Sequence, residues 1–459
     1  MIRHTNLLIS AVTDALQRVG CTRREKILIG VSGGIDSMVL LDILSKLIDS
    51  LVVVHCDHAL RADSATDVAF VEEQAARRGC AFISRRCDVM SRVRTSGMSV
   101  EEAGRAVRYE LFDELAADQG AGKVALGHHL DDQAETVLMR LLRGSGSTGL
   151  RGMVPLRDGV FLRPLLDVRR ADIASYAVEN ELPFIEDETN ADWRYLRNRV
   201  RGHLLPILRA YNPNIERALH RAAMLLQGED DFIEKAAQDA LNAVLVERSE
   251  DQIALDAPGF LGYHIAVQRR VLRLALRALS PRDLEYAQVD SILQIAREKR
   301  RTLQELSKGL RIQYWADCLL LRQGVESPLE MPVPIPGVTE VPQRKMSFRC
   351  QFAPAATFRD LHPRLGGQLV ALDADRLGDR LLLRSAEAGD RFRPLGMRGY
   401  KKLSDFLIDQ KHPRILRDKV LVLESKGEIA WVVGMRMSVL FRVRPDSQQI
   451  AVIELCSTE

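Results

Sequence analysis

Two serines, two glycines and an aspartate fall within six residues, Ser32-Gly33-Gly34-Ile35-Asp36-Ser37, between two apolar stretches. Residues 26–31 before them read as a buried strand, and residues 38–44 after them as a helix. A strand, a glycine turn rich in hydroxyls and a helix start make an anion site. Glycine lets the backbone approach an anion closely, and the helix start offers free N–H groups and partial positive charge. Ser32 and Ser37 can add hydroxyl donors. Asp36 is unsuited to touch a phosphate directly, but it suits a Mg²⁺ ion shared with phosphate oxygens. The Gly-x-x-x-x-Gly-Lys-Ser/Thr loop of the P-loop nucleotide-binding class does not occur in the chain. The competing reading of residues 32–37 is a sharp strand-to-helix turn without a ligand.

A second constellation is Gly127-His128-His129-Leu130-Asp131-Asp132-Gln133-Ala134-Glu135-Thr136, at the end of a short apolar run and the start of a helix. Asp132 and Glu135 are three apart and so share a helix face. Acids beside histidines are costly to pack unless a cation compensates them, either a metal or an ammonium group. A metal would use His128, Asp132 and Glu135; the plain alternative is capping acids plus a solvated glutamate. On the predicted helix opening at the Ser99–Glu102 capping box, Arg105 and Arg108 share a face. They can grip a phosphate by bidentate hydrogen bonds or pair back with Glu101 and Glu102. Residues 193–206 read as a basic helix with Trp193 and Tyr195 at its start, and it includes Arg197 and Arg201. Arginines among aromatics suit RNA, and an exposed basic helix with its aromatics in the core is the alternative.

These residues need a frame. Strand and helix signals alternate over the first ~200 residues, with strands at 51–55, 82–85 and 123–126 beside the first. That predicts an α/β domain with a parallel, Rossmann-like sheet covered by helices on both faces. In such sheets ligands sit beyond the strand carboxyl ends, where residues 32–37, 55–58 and 127–129 all fall. Gly144-Ser145-Gly146-Ser147-Thr148-Gly149 is a G-x-G-x-x-G run, but it follows a helix, so it reads as a helix stop or a loop over the site. The expected division is a catalytic domain over 1–215, a mainly helical domain over 216–327, a proline-rich linker over 328–337 whose prolines equally suit a sheet edge, and a small α+β domain over 338–459.

A chain of 459 residues exceeds one ordinary core. The seven cysteines are scattered with no Cys-x-x-Cys, which argues for ordinary thiols in a reducing, cytoplasmic setting and against structural zinc. Neither a membrane span nor a signal peptide is expected. Net charge is only +3, but residues 384–420 hold ten Lys/Arg against five Asp/Glu, a local excess of five. Arg391, Lys401 and Lys402 lie in that stretch, which suits a phosphate backbone, or else forms a solvated face.

Residues 32–37 resemble the pyrophosphate-binding loop (PP-loop) of the ATP pyrophosphatase superfamily. Together with His55-Cys56-Asp57-His58-Ala59-Leu60-Arg61, residues 102–109, 127–144 and 197–206, and the late run from Gly389 through Lys401-Lys402-Leu403, the chain resembles the tRNA(Ile)-lysidine synthetase family. The resemblance covers both ends and is weakest in the middle; Asp57 departs from the asparagine commoner there. It implies ATP, Mg²⁺ and free L-lysine as reactants and cofactor, and a tRNA(Ile) with a CAU anticodon as partner. The implied reaction adenylates carbon-2 oxygen of the wobble cytidine and joins lysine there, giving lysidine, AMP and pyrophosphate. By that resemblance Ser32, Gly33, Gly34, Ile35, Asp36, Ser37 and His58 bind ATP, with Asp36 on Mg²⁺. Asp132 and Glu135 bind lysine, and one carboxylate deprotonates its amine; His128 shuttles a proton or contacts the adenylate. Arg108 and Arg201 grip phosphate or the flipped base, and Arg105, Arg197, Arg201, Arg391, Lys401 and Lys402 contact the tRNA or a phosphate.

Three alternatives stand beside it. A tRNA thiolase needs a sulfur carrier, typically a cysteine pair. An ammonia-dependent amidating synthetase leaves the basic C-terminal region unexplained. A non-catalytic RNA-binding protein leaves the intact loop and the acids unexplained. Oligomeric state, a homodimer included, is left open.

Overall fold

The computed structural model describes residues 2–57, 64–186, 193–279, 285–306, 309–362, 365–378 and 380–457. The chain divides into two units, Met1–Phe232 and Ile233–Glu459. The first unit contains α1 (Ile2–Arg18), β1 (Lys26–Gly30), α2 (Ile35–Leu47), β2 (Ser50–Asp57), α3 (Ser64–Arg77), β3 (Ala81–Arg86), α4 (Val89–Ser96), α5 (Val100–Gln119), β4 (Lys123–Ala125), α6 (Leu130–Leu142), α7 (Ser147–Leu150), β5 (Leu156–Arg157), β6 (Phe161–Leu162), α8 (Arg170–Glu179), α9 (Leu196–Arg199) and α10 (Leu205–Tyr211). The long α11 (Ile215–Val244) contains the division point.

The six strands follow the order β3-β2-β1-β4-β6-β5. All pairings are parallel except β5 with β6 at the edge. Alternation along β1 serves two cores. Ile27 and Ile29 join α1, α2, α3 and α8 on one face, while Leu28 joins Phe112 and Leu115 of α5 on the other. Chain order reverses between β1 and β4, and in such sheets ligands bind at the carboxyl ends beside that switch point. The expected parallel sheet is therefore present; the two-residue strands β5 and β6 had no periodic signal to reveal them.

The predicted helix start at the Ser99–Glu102 capping box holds. Ser99 caps α5 through the backbone N–H of Glu102, and Glu102 returns the bond. The expected single basic helix over 193–206 is instead α9, a π turn at Val200–Leu204, and α10. The wider turn re-aims the side chains that follow Arg199, an effect no helical periodicity announces.

The second unit begins with α11 and continues through β7 (Leu245–Arg248), β8 (Gln252–Asp256), α12 (Ala257–Leu261), α13 (Ile265–Leu279), α14 (Tyr286–Arg297), β9 (Gln304–Glu305), β10 (Leu310–Trp315) and β11 (Cys318–Gln323). The middle region thus carries helices on a five-stranded sheet, β7-β8-β11-β10-β9. After it come β12 (Glu330–Val333), β13 (Gly337–Val341), β14 (Met346–Pro354), α15 (Phe358–Leu361), β15 (Leu369–Asp373), β16 (Leu381–Ser385), β17 (Arg391–Phe392), β18 (Lys401–Lys402), α16 (Leu403–Asp409), β19 (Leu421–Ser425), β20 (Glu428–Val432), β21 (Arg436–Met437) and β22 (Gln449–Ser457). The stretch 328–337 is not a bare linker: β12 pairs antiparallel with β16, in a sheet ordered β12-β16-β19-β20-β21. Prolines are tolerated there because β12 is an edge strand. Arg322, 1% exposed, bonds Asp251 at 2.9 Å and Asp418 at 2.5 Å, tying the middle sheet to the 414–419 turn within this unit. Among the described residues no helix is long and apolar enough to cross a membrane.

Candidate active site

The loop after β1 is shaped by its glycines and serines. Gly33 has φ +91°, a conformation side chains rarely adopt, and an added Cβ would meet Ile185 Cδ1 at 2.8 Å. Ile185 N–H bonds Gly33 C=O at 2.9 Å, which closes the chain over the loop. Ser37 Oγ accepts from Ser32 N–H at 3.2 Å and donates to Gly34 C=O at 2.9 Å. His55, buried at the end of β2, donates from Nδ1 to Val31 C=O at 2.9 Å and pins the start of the loop. Gly34 is the residue before α2, whose first-turn N–H groups have no helical partner and face outward. His58 lies outside the described residues.

Asp36, in that first turn, has Oδ1 buried without a hydrogen-bond partner. Burial raises its carboxyl above the usual range, and Asp132 adds to that, while His129, Arg170 and Arg201 work against it. A partly exposed carboxylate with one buried, unbonded oxygen at the head of α2 is suited to hold a cation. Among the described residues no three His, Cys, Asp or Glu gather as a metal cluster, so of the two readings of the acids the metal one, through His128, Asp132 and Glu135, has no support.

The β4–α6 junction divides its motif into distinct tasks. His129, 1% exposed, accepts the Asp132 N–H at Nδ1 (3.3 Å), and Asp132 Oδ2 accepts the His129 N–H (3.1 Å). That assigns the ring proton to Nε2, which faces Asp132 Oδ2 at 3.4 Å and Asp36 Oδ1 at 3.7 Å. Asp131 accepts the Arg170 N–H at the start of α8 (2.9 Å), and Gln133 clamps both backbone groups of Met153. An added Cβ on Gly127 would lie 3.3 Å from the Asp36 backbone, so glycine lets this junction lie against the phosphate loop.

Asp132 and Glu135 point together, as their spacing requires, but neither is solvated. Glu135, 1% exposed, accepts Arg197 Nε (2.8 Å), Arg201 Nε (2.5 Å) and Arg201 Nη2 (3.1 Å). Asp132 Oδ1 accepts Arg197 Nη2 (2.9 Å) and Arg201 Nη2 (3.3 Å). The compensating cation that the sequence called for is supplied by two arginines, which the sequence reading had placed on RNA. Burial alone would raise the Asp132 carboxyl; His129, Arg197 and His128 outweigh it and hold it at about 2. His128 Nδ1 is sealed without a partner, and burial pushes the imidazole down to about 3, with Arg163, Arg197 and Arg105 reinforcing that shift. It is neutral at physiological pH.

Other expected residues are placed less directly. Arg108 lies near Cys56 and Cys87, and burial lowers its pKa. Those two cysteines, distant in sequence, bring their sulfurs to 2.7 Å across β2 and the end of β3, and all seven cysteines are free thiols. Trp193 stacks on His203 at 4.3 Å, and Gly202 makes room for it, since a Cβ there would meet the indole at 2.4 Å. In the second unit Arg391 faces Lys402 across the β17–β18 pair, Lys401 pairs with Asp409, and Arg393 sits 5.9 Å from the Tyr400 ring. Like charges set directly opposite repel, which favours a bound polyanion. Sequence reading missed Arg163, which the structure buries beside the site; its signal was one arginine inside the apolar run Val160-Phe161-Leu162-Arg163-Pro164-Leu165-Leu166.

Comparisons with known proteins give a coherent set of matches. The PP-loop domain family matches residues 7–208, the TilS substrate binding domain 255–319, and the TilS substrate C-terminal domain 381–454. The chain is 32% identical to the tRNA(Ile)-lysidine synthase of Caldanaerobacter subterraneus subsp. tengcongensis, covering 97% of both chains. It is 30% identical to that of Clostridium acetobutylicum, over 98% of this chain and 99% of the relative. For the Geobacillus kaustophilus protein of that name the figures are 33%, 90% and 91%.

Proposed function

This chain belongs to the tRNA(Ile)-lysidine synthase family, and from that premise we propose how its first unit joins L-lysine to carbon-2 of a wobble cytidine. The enzyme is an ATP-dependent ligase that modifies tRNA. The observation that carries the catalytic reading is the meeting of two strand ends. The phosphate loop after β1 and the acid-bearing junction after β4 face each other, with Asp36 Oδ1 3.7 Å from His129 Nε2.

On this reading Ser32, Ser37 and the N–H groups of the first turn of α2 hold the pyrophosphate end of ATP. Asp36 would hold Mg²⁺, which supplies positive charge against the leaving pyrophosphate. Adenylation of the cytosine oxygen creates a leaving group that the ring otherwise lacks. Asp132 and Glu135 receive the ammonium of lysine, and one guanidinium gives way to admit it. Two carboxylates with one arginine left between them hold the amine as its ammonium, and one carboxylate takes its proton as the nitrogen bonds to carbon-2 and the C–O bond to AMP breaks. His128, half-buried and neutral, is placed to hydrogen-bond the adenylated ring or the incoming amine. Arg391, Lys401 and Lys402 hold the tRNA backbone.

The direct test incubates the protein with labelled lysine, ATP and tRNA(Ile) transcripts that differ only at the wobble base. Label on the cytidine transcript alone, with one AMP per lysine, is expected. AMP release that needs ammonia or a sulfur donor instead of lysine would overturn the reading.

A further inference from the structure

Six residues after the end of α7, the chain enters the short β5–β6 hairpin, and its two arginines converge with one from α5 on a single tyrosine. Tyr109 is buried, and its hydroxyl oxygen accepts from both Arg105 Nη2 (3.3 Å) and Arg163 Nη2 (3.2 Å). The Arg157 guanidinium carbon lies 4.4 Å from the tyrosine ring centroid, and that of Arg105 lies 5.0 Å from it. Three positive groups thus share one neutral side chain.

We propose that Arg105, Arg157 and Arg163, gathered on Tyr109, form a second anion subsite that takes a phosphodiester from the loop of the RNA substrate. Three observations carry it. Arg163 is 2% exposed, yet its Nε is buried with no hydrogen-bond partner; Nη1 is spent on Val154 C=O at 2.6 Å. Among the described residues neither Arg105 nor Arg163 pairs with a carboxylate, and the acid on Arg157 is its own exposed neighbour Asp158. Burial and the neighbouring Arg105 and Arg157 lower the pKa of Arg163, despite help from Tyr109, so the charge lacks its counterion. Three cations with one exposed acid among them are stabilised by an anion from outside; the exposed Arg105 can offer its guanidinium to the free oxygens of a phosphodiester, while Arg163, held by Val154 and Tyr109, adds charge from beneath.

Position separates this subsite from the nucleotide. Arg163 follows β6, His128 follows β4, and the phosphate loop follows β1, in the strand order β1-β4-β6. Two strand spacings, roughly 10 Å, lie between loop and subsite, with His128 in the middle. His128 feels Arg105 and Arg163, whereas the charges that act on Asp36 are His129, Asp132, Arg170 and Arg201. A base held near His128 would then have ATP phosphates on one side and its own backbone on the other.

This subsite rests on the tRNA reading, and the test separates the two. The full chain is titrated with the isolated anticodon stem-loop, in which single loop phosphates are replaced by neutral methylphosphonates. One loop position is expected to weaken wild-type binding about tenfold. In Arg105→Gln that same replacement should change binding less than twofold, and the salt slope should fall by about 0.7. ATP affinity should not move. Arg163→Lys, which keeps the charge and loses the bonds to Val154 and Tyr109, should give an intermediate loss, and Arg157→Gln should repeat the Arg105 result more weakly. If the replacements weaken Arg105→Gln as much as wild type, or if ATP binding falls with RNA binding, the subsite is wrong. If wild type ignores the stem-loop altogether, the tRNA reading falls and takes the subsite with it.

Discussion

Glu135→Gln isolates the charge of the acid from its shape. Five guanidinium bonds reach the Asp132–Glu135 pair, and Glu135 receives three of them. Glutamine fills the same space and keeps one acceptor oxygen, so the change removes charge and part of the bonding. Removing one partner of a fully buried ion pair costs about 3–5 kcal/mol. Here Arg197 and Arg201 retain 25% and 29% exposure, and water recovers part of the loss, which leaves about 2–3 kcal/mol of lost stability in the first unit. The effect on substrate is separable. A charge-assisted hydrogen bond to an ammonium contributes about 1.5–3 kcal/mol, or roughly 10- to 150-fold in apparent affinity. With tRNA saturating, and well below the melting temperature, AMP release is measured while lysine and then ATP are varied. KM for lysine should rise by that factor, and KM for ATP should stay within about twofold. Equal rises in both, or an unchanged lysine requirement, would refute the assignment of the acids to lysine and leave them as an anchor for α9.

Asp36→Asn keeps the volume of the side chain but loses its charge. AMP production should fall by about 10²-fold or more, the scale of one lost electrostatic contact at a reacting phosphate, with stem-loop binding unchanged by filter retention; retained turnover would rule out a metal role. The pH dependence of stability has a defined sign. The Asp132 carboxyl sits at about 2 against ~3.9 unfolded, so its contribution is complete above pH ~4 and is lost as pH falls toward 2. His128, at about 3 against 6.5, is kept neutral in the fold, so the unfolded chain gains protons first and stability declines from pH ~6.5 downward. His128→Asn should therefore flatten the melting-temperature decline of the first unit between pH 6.5 and 4 while leaving the steeper loss below pH 4; an unchanged profile would show that His128 titrates normally. Arg391→Ala combined with Lys402→Ala should lower the slope of log affinity for tRNA against log salt by about 0.7–0.9 per lost phosphate contact, and an unchanged slope would make the β17–β18 pair a solvated face.

Much of the site was legible in residue order because local chemistry was unusually restrictive. Glycine at positive φ, hydroxyls that can cap a turn and a following apolar helix leave few options for residues 32–37, and Gly33 occupies the conformation those types demand. Spacing alone put Asp132 and Glu135 on one face of α6, and a capping box marked the start of α5. The second unit was less readable. Its β12 strand hides in a proline-rich run because an edge strand needs few backbone donors, and β5 and β6 are too short for any period to show.

Residue order therefore determined which groups exist at each strand end, and that these ends share one edge of a parallel sheet, since both follow from periodicity and turn chemistry over a few residues. Only the tertiary structure decided their partners. Arg197 and Arg201 could have faced RNA or protein, and the π turn at Val200–Leu204 within the packed α9–α10 segment accompanies their pairing with Asp132 and Glu135. Arg163 could have been a surface cation, and burial beneath Tyr109 made it an unneutralised charge. Charge pairing depends on distances between segments far apart in the chain and on how much water they exclude, and neither quantity is written in local sequence.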